Sequence, residues 1–127
     1  MNIFYLDSNP IKCAEMHVDK HCVKMILEYA QLLSTAHRYL DGKETIGTSA
    51  TGRKQKRWAL DSDLDGILYK ATHINHPSAV WVRQSAENYM WLCDLLDALC
   101  KEYTYRYGKV HKGERIGLVD VLYENIP

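Results

Sequence analysis

The chain has 127 residues, enough for one hydrophobic core and too few for two of ordinary size, so a single domain over residues 1–127 is expected. Hydrophobic residues at 46% and charged residues at 25% exclude the disordered regime. Sixteen basic and sixteen acidic side chains cancel, which excludes a global positive field and with it strong non-specific nucleic-acid binding, so any such contact must be local.

Residues 1–6 are apolar but short and carry no basic stretch before them. They read as neither signal peptide nor membrane span, and residues 2–6 are strand-like. No later stretch approaches membrane length, so no membrane partner is expected. Asp7-Ser8-Asn9-Pro10 is a helix start, with capping side chains ahead of a proline at an early helical position. Over residues 19–40, Cys22, Ile26, Tyr29, Leu33, Ala36 and Leu40 recur at spacings of three and four, one buried helical stripe, and Asp41-Gly42 ends it. Residues 41–57 are polar, contain Gly42, Gly47 and Gly52 and lack helical periodicity, which predicts an exposed loop. The basic run Arg53-Lys54-Gln55-Lys56-Arg57 beside Trp58 reads first as solvated loop charge, with a local nucleic-acid contact as its rival.

A shorter helix is predicted at about residues 62–72, ending at His73-Ile74-Asn75-His76-Pro77, because the residue before a proline is pushed out of helical geometry. Pro77 then opens a long helix to about Tyr107, stopped by Gly108, and residues 109–127 read as a short helix and a tail. Cys13, Cys22, Cys93 and Cys100 lie in apolar helical patterns with no C-x-x-C pair, as reduced core thiols of a cytoplasmic protein would. The expected fold is all-α: a compact single-domain helical bundle with two long helices, one or two shorter helices and a polar glycine-containing loop.

Six histidines cluster unevenly. His17 and His21 stand four apart, as metal ligands do in the H-E-x-x-H motif, but Val, Asp and Lys lie between them in place of its general-base glutamate, so the pair is the candidate for zinc if any is bound, and no metal or cofactor is expected. Lys20, His21 and Lys24 form one polar flank able to hold phosphate, with a solvated face and a Lys24–Glu28 pair as the alternative. His37 falls on the apolar stripe and reads as a buried, hydrogen-bonded histidine. The densest polar pattern holds Lys70, His73, Asn75, His76, Trp81 and Arg83: cations for phosphate, an amide for a base edge, an indole for stacking. Its bland alternative is a core Trp81 and an Arg83–Glu87 pair. Tyr103 and Arg106 add aromatic and basic groups three turns or more away, reachable in one pocket only through chain folding or a homo-oligomer. Gly47-Thr48-Ser49-Ala50-Thr51-Gly52-Arg53-Lys54 has the glycine spacing of a phosphate loop without its Lys-Ser/Thr ending, so a Walker site is rejected.

The segments Asp19-Lys20-His21-Cys22-Val23-Lys24-Met25, Asn75-His76-Pro77-Ser78-Ala79-Val80-Trp81 and Glu102-Tyr103-Thr104-Tyr105-Arg106-Tyr107-Gly108-Lys109, with Ala30-Gln31-Leu32-Leu33-Ser34-Thr35-Ala36-His37-Arg38, resemble a family of small, functionally unassigned proteins of tailed bacteriophages. The resemblance covers most of the chain and implies a phage accessory protein in the cytoplasm of an infected host, without supplying an activity or catalytic residues. The leading expectation is a protein that binds a nucleotide-derived small molecule and sequesters a host immune signal. One rival is an enzyme on the same ligand class, with His21 or His76 as general acid or base. The other is a protein-interaction inhibitor of a host factor.

Overall fold

The computed structural model describes residues 2–127; Met1 of the apolar N-terminal stretch lies outside them. Helix α1 (Pro10–Glu15) starts as its sequence dictates, with the Asn9 side chain accepting from the Ile11 and Lys12 amides and Pro10 in the first turn. After a break at residues 16–18 comes the long α2 (Asp19–Asp41), whose apolar stripe forms one wall of the core. It ends at Gly42 as expected, for a different reason. Gly42 has φ −87°, not a left-handed value, and a Cβ there would sit 2.3 Å from the Arg38 carbonyl oxygen.

Residues 41–57 are not a loop. Strands β1 (Lys43–Thr48) and β2 (Lys54–Ala59) pair antiparallel, with Lys43 opposite Ala59 and Thr48 opposite Lys54, so the fold is mostly helical with a two-stranded sheet and not purely all-α. Ser49 and Arg53 close the ribbon around a three-residue tip in which Gly52 takes φ +84°, the left-handed conformation such a tip requires. Nearly every strand position is exposed, so the alternation of apolar and polar residues that marks a half-buried strand was never written into the sequence.

The helix expected at residues 62–72 is a single turn, α3 (Leu64–Ile67), followed by extended chain. The long helix from Pro77 is two: α4 (Pro77–Arg83), then α5 (Ala86–Tyr107). Ser85 makes the break, its hydroxyl accepting from the Asn88 amide while Asn88 Nδ2 donates to the Trp81 carbonyl. α5 stops at Gly108 as expected, and α6 (Lys112–Arg115) and α7 (Leu118–Glu124) complete the chain. Residues 2–6 form no strand. Their extended backbone is held by the Tyr29 hydroxyl, which accepts from the Phe4 amide at 3.2 Å, and by the Cys13 thiol, which donates to the Phe4 carbonyl at 3.0 Å.

The core forms one cluster, chiefly between α2 and α5, with α4 and α7 packed on the same pair and α1 on α5. Cys13, Cys22, Cys93 and Cys100 are buried free thiols, and burial pushes Cys93 and Cys100 up to about 12, far from the thiolate needed for nucleophilic chemistry. No helix among the described residues is long and apolar enough to cross a membrane.

Three polar residues of α2 do what a sheet would otherwise do for the extended residues 68–72. Ser34 Oγ accepts from the Tyr69 amide, Thr35 Oγ1 accepts from the Thr72 amide, and the Arg38 guanidinium takes the carbonyls. Arg38, 5% exposed, uses every N–H it has: Nε to Tyr69 O (2.6 Å), Nη1 to Trp58 O (2.8 Å) and Asp65 Oδ1 (2.7 Å), Nη2 to Asp65 O (2.9 Å) and Leu68 O (3.0 Å). One side chain therefore ties α2 to the hairpin, to α3 and to the extended segment. Arg38→Lys keeps the charge but loses the fork, and the stranded carbonyls should lower the unfolding free energy by about 3 kcal/mol, read from urea midpoints.

Two histidines lie in the core, each bonded to a tyrosine. His17 Nδ1 donates to the Cys13 carbonyl (2.7 Å) and its Nε2 meets the Tyr29 hydroxyl (2.7 Å); His37 Nε2 meets the Tyr89 hydroxyl (2.8 Å), which donates to the Leu122 carbonyl (2.8 Å). Burial holds both imidazoles below their ordinary value of 6.5. The unfolded chain therefore binds protons that the folded chain refuses. Stability is full above about pH 6.5 and falls below it, by up to about 1.4 kcal/mol per pH unit for each histidine. Urea midpoints should drop between about pH 7.5 and about pH 5.5, and His37→Gln should make that drop shallower.

Candidate functional site

A groove opens where the base of the hairpin faces the extended segment. One hollow of about 440 Å³ is lined by Arg57, Trp58 and Ala59 on the hairpin side and by Gly66, Leu68, Lys70 and Ala71 opposite. A wider one of about 720 Å³ adjoins it, shares Arg57, Gly66, Leu68, Lys70 and Ala71, and adds Gln31, Thr72 and His73. Both fall in the size range of small-molecule sites. The floor is the segment clamped by Ser34, Thr35 and Arg38, so the groove has one fixed wall whether or not a ligand is present.

Arg38 and Asp65 also line the smaller hollow and offset one another as an ion pair, which leaves the balance of charge to Arg57 and Lys70. Arg38 is consumed by carbonyls and by Asp65, whose carboxyl it holds below the usual carboxylate range. Arg57 and Lys70 have no ion-pair partner among the described residues. Arg57 runs its aliphatic stem over Gly47, where a Cβ would come within 3.1 Å of it. Trp58 is half-buried beside Tyr39, ring centroids 6.3 Å apart, and lines the smaller hollow together with the two cations.

Of the residues singled out from sequence, Lys70 and His73 line this groove. His73 has φ +49°, a left-handed conformation rare outside glycine, and its Nδ1 is 2.7 Å from Thr72 Oγ1, which leaves Nε2 for a ligand. Asn75 is exposed in the same turn, closed by the His76 amide on the His73 carbonyl. Arg83 does not pair with Glu87. It braces that turn instead, donating to the Ile74 carbonyl at 2.6 Å with its guanidinium 3.9 Å above the Tyr39 ring. His76 caps α4, its Nδ1 accepting from the Ser78 amide, which makes it a structural ring with the proton on Nε2.

The remaining candidates lie elsewhere. Trp81 lines a separate hollow of about 430 Å³ with Ile3, Tyr5, Pro77 and Ser78, backed by Trp91, on which Tyr5 stacks at 4.4 Å. His17 and His21 do not share a helical face, because the chain breaks between them. His17 spends both nitrogens in the core, and His21 stacks on Phe4 at 4.2 Å, so the pair cannot hold zinc together. Lys20 and Lys24 are exposed on α2, with Lys24 two turns, about 10 Å, before Gln31. Arg106 is bound to Glu102 (2.9 Å), Asp19 (3.1 Å) and the Glu15 carbonyl (3.0 Å), an ion cluster joining the end of α5 to the start of α2. Tyr103 packs on Tyr107 and His111, so neither Tyr103 nor Arg106 reaches the groove.

Sequence reasoning missed Gln31, Arg57 and Trp58. Gln31 sits on the polar edge of a stripe read only for its apolar side. Arg57 and Trp58 end the basic run that reads as solvated loop charge or a local nucleic-acid contact, and only the hairpin sets them opposite Lys70. No protein-family model, no curated protein and no solved structure matches this chain.

Proposed function

We propose that the protein binds a small phosphorylated aromatic molecule of the nucleotide class in the groove between the hairpin base and residues 66–73, and holds it without converting it. The observation that carries this is that two cations without an ion-pair partner, Arg57 and Lys70, line one hollow with Trp58 over a floor hydrogen-bonded to α2. Arg57 and Lys70 would take phosphate oxygens, Trp58 the ring, and Gln31 and His73 Nε2 polar edges of the base or sugar. The resemblance to tailed-phage proteins supplies the setting: withholding a nucleotide-derived immune signal in the cytoplasm of an infected cell.

Holding is favoured over turnover because the histidines are largely spent. His17 and His37 are in the core, His76 caps a helix and His21 stacks on Phe4. His73 alone stands at the groove with a free nitrogen and an orienting hydroxyl, and it is where a catalytic reading would place its acid or base, in place of His21 or His76.

Isothermal titration of the full chain with nucleoside phosphates and cyclic dinucleotides, against nucleosides and inorganic phosphate, tests the reading. Phosphorylated nucleotides should bind, and Arg57→Ala or Lys70→Ala should each weaken binding roughly tenfold or more, since a charge-assisted hydrogen bond is worth about 1.5–3 kcal/mol. Lys20→Ala, an equal loss of charge outside the groove, should leave it unchanged. Absence of binding across the panel, or equal weakening by all three substitutions, would sink it. A product in the mixture that disappears with His73→Gln would turn the binder into an enzyme.

A further inference from the structure

The hairpin continues outward past the groove, and its charge is unlike that of the rest of the chain. Lys43, Arg53, Lys54, Lys56 and Arg57 stand against the single carboxylate of Glu44, a net of four positive charges within fifteen residues. Because the whole chain is neutral, everything outside the hairpin carries four net negative charges. The one ion pair on the ribbon, Lys56 to Glu44 at 3.5 Å, is exposed at both ends and correspondingly weak.

A hairpin that served only the fold would bury one face. This one buries neither along its outer length: Ile46 is 74% exposed, and Lys54, Gln55 and Lys56 are all exposed. Only its base is fixed, through the Trp58 carbonyl on Arg38 and the Trp58 ring beside Tyr39. Its tip is nonetheless ordered, with the Ser49 amide donating to the Arg53 carbonyl at 2.8 Å and the Arg53 amide to Ser49 Oγ at 3.1 Å. An isolated two-stranded ribbon gains little stability in water, so a charged and uncovered one calls for a partner.

We infer that this ribbon is an arm that enters the major groove of duplex DNA. Two strands about 4.8 Å apart, with side chains on both faces, match a groove about 12 Å wide that admits a two-stranded β-ribbon. The register places Lys54 and Lys56 on one face with Glu44, Ile46 and Thr48, and Lys43 and Gln55 on the other with Thr45, so each face carries positive charge toward the phosphates that flank it. Gln55 offers an amide for an adenine edge and Ile46 an apolar contact for a thymine methyl. The acidic remainder is repelled by the same phosphates, which leaves the arm as the approaching surface. The deep, narrow major groove of A-form RNA does not admit it.

The inference is separable from the ligand reading, because Arg53, Lys54 and Lys56 do not line the small-molecule groove. Fluorescence anisotropy of the full chain with a duplex of about twenty base pairs, between about 25 and 200 mM salt, reads the contact. The duplex should bind with log K falling by about three to four per decade of salt, and the same-length RNA duplex, single strand and polyglutamate should bind at least tenfold more weakly. Replacing Arg53, Lys54 and Lys56 together by Gln should weaken DNA binding at least tenfold and flatten the salt slope by about two to three, with circular dichroism and nucleotide binding unchanged. No binding at the lowest salt, equal affinity for RNA, single strand or polyglutamate, or a triple variant that binds as the parent does, would overturn the arm.

Discussion

The structure turns on an extended stretch of backbone that has no sheet to belong to. Residues 68–72 must satisfy their amides and carbonyls while lying against a helix whose own backbone groups are already paired. The solution is a row of side chains on α2: two hydroxyls one residue apart and, one turn on, a guanidinium whose donors are all taken by backbone oxygens and one carboxylate. From this follow the position of the hairpin, the shape of the groove and the choice of Arg over Lys, since only a planar fork addresses carbonyls from three separate segments at once.

A second constraint governs the inside of the molecule. Ionisable groups that sequence alone would nominate for chemistry are distributed between two jobs. The two core histidines are held below their ordinary value by burial and bonded to hydroxyls and a carbonyl, His17 to Tyr29 and the Cys13 carbonyl and His37 to Tyr89, while the four thiols are buried and free. Those at the edges are cations tied to carboxylates or carbonyls, as Arg106 and Arg83 are. Arg57 and Lys70 belong to neither group, and unlike the exposed lysines of α2 they line a groove.

What sequence could reveal follows the same division. Helix boundaries written in caps and prolines were legible at Asn9-Pro10, His76-Pro77 and Gly108, and the burial of His37 followed from its place on a stripe. The Ser85 break was present as a cap within the polar stretch 83–88, but no glycine or proline marks it and the helical spacing of Trp81, Ser85, Asn88 and Leu92 runs across it. The hairpin left almost no trace, because a ribbon exposed on both faces needs no apolar alternation and only its Gly52 turn is chemically constrained. Arg38 was invisible for a deeper reason: its partners are backbone carbonyls, which every residue possesses. Half of the groove was therefore legible, as Lys70 and His73, and the half supplied by the hairpin was not.

Overall neutrality conceals a molecule with two poles. A basic ribbon on a body of net negative charge separates the two signs, and at a pI near 7 no net charge keeps copies apart. In dilute buffer, where the screening length is tens of ångströms, the ribbon of one copy is drawn to the body of the next. Added salt shortens that reach, so this protein should become more soluble as ionic strength rises from very low values, a salting-in governed by where its charges lie and not by how many there are.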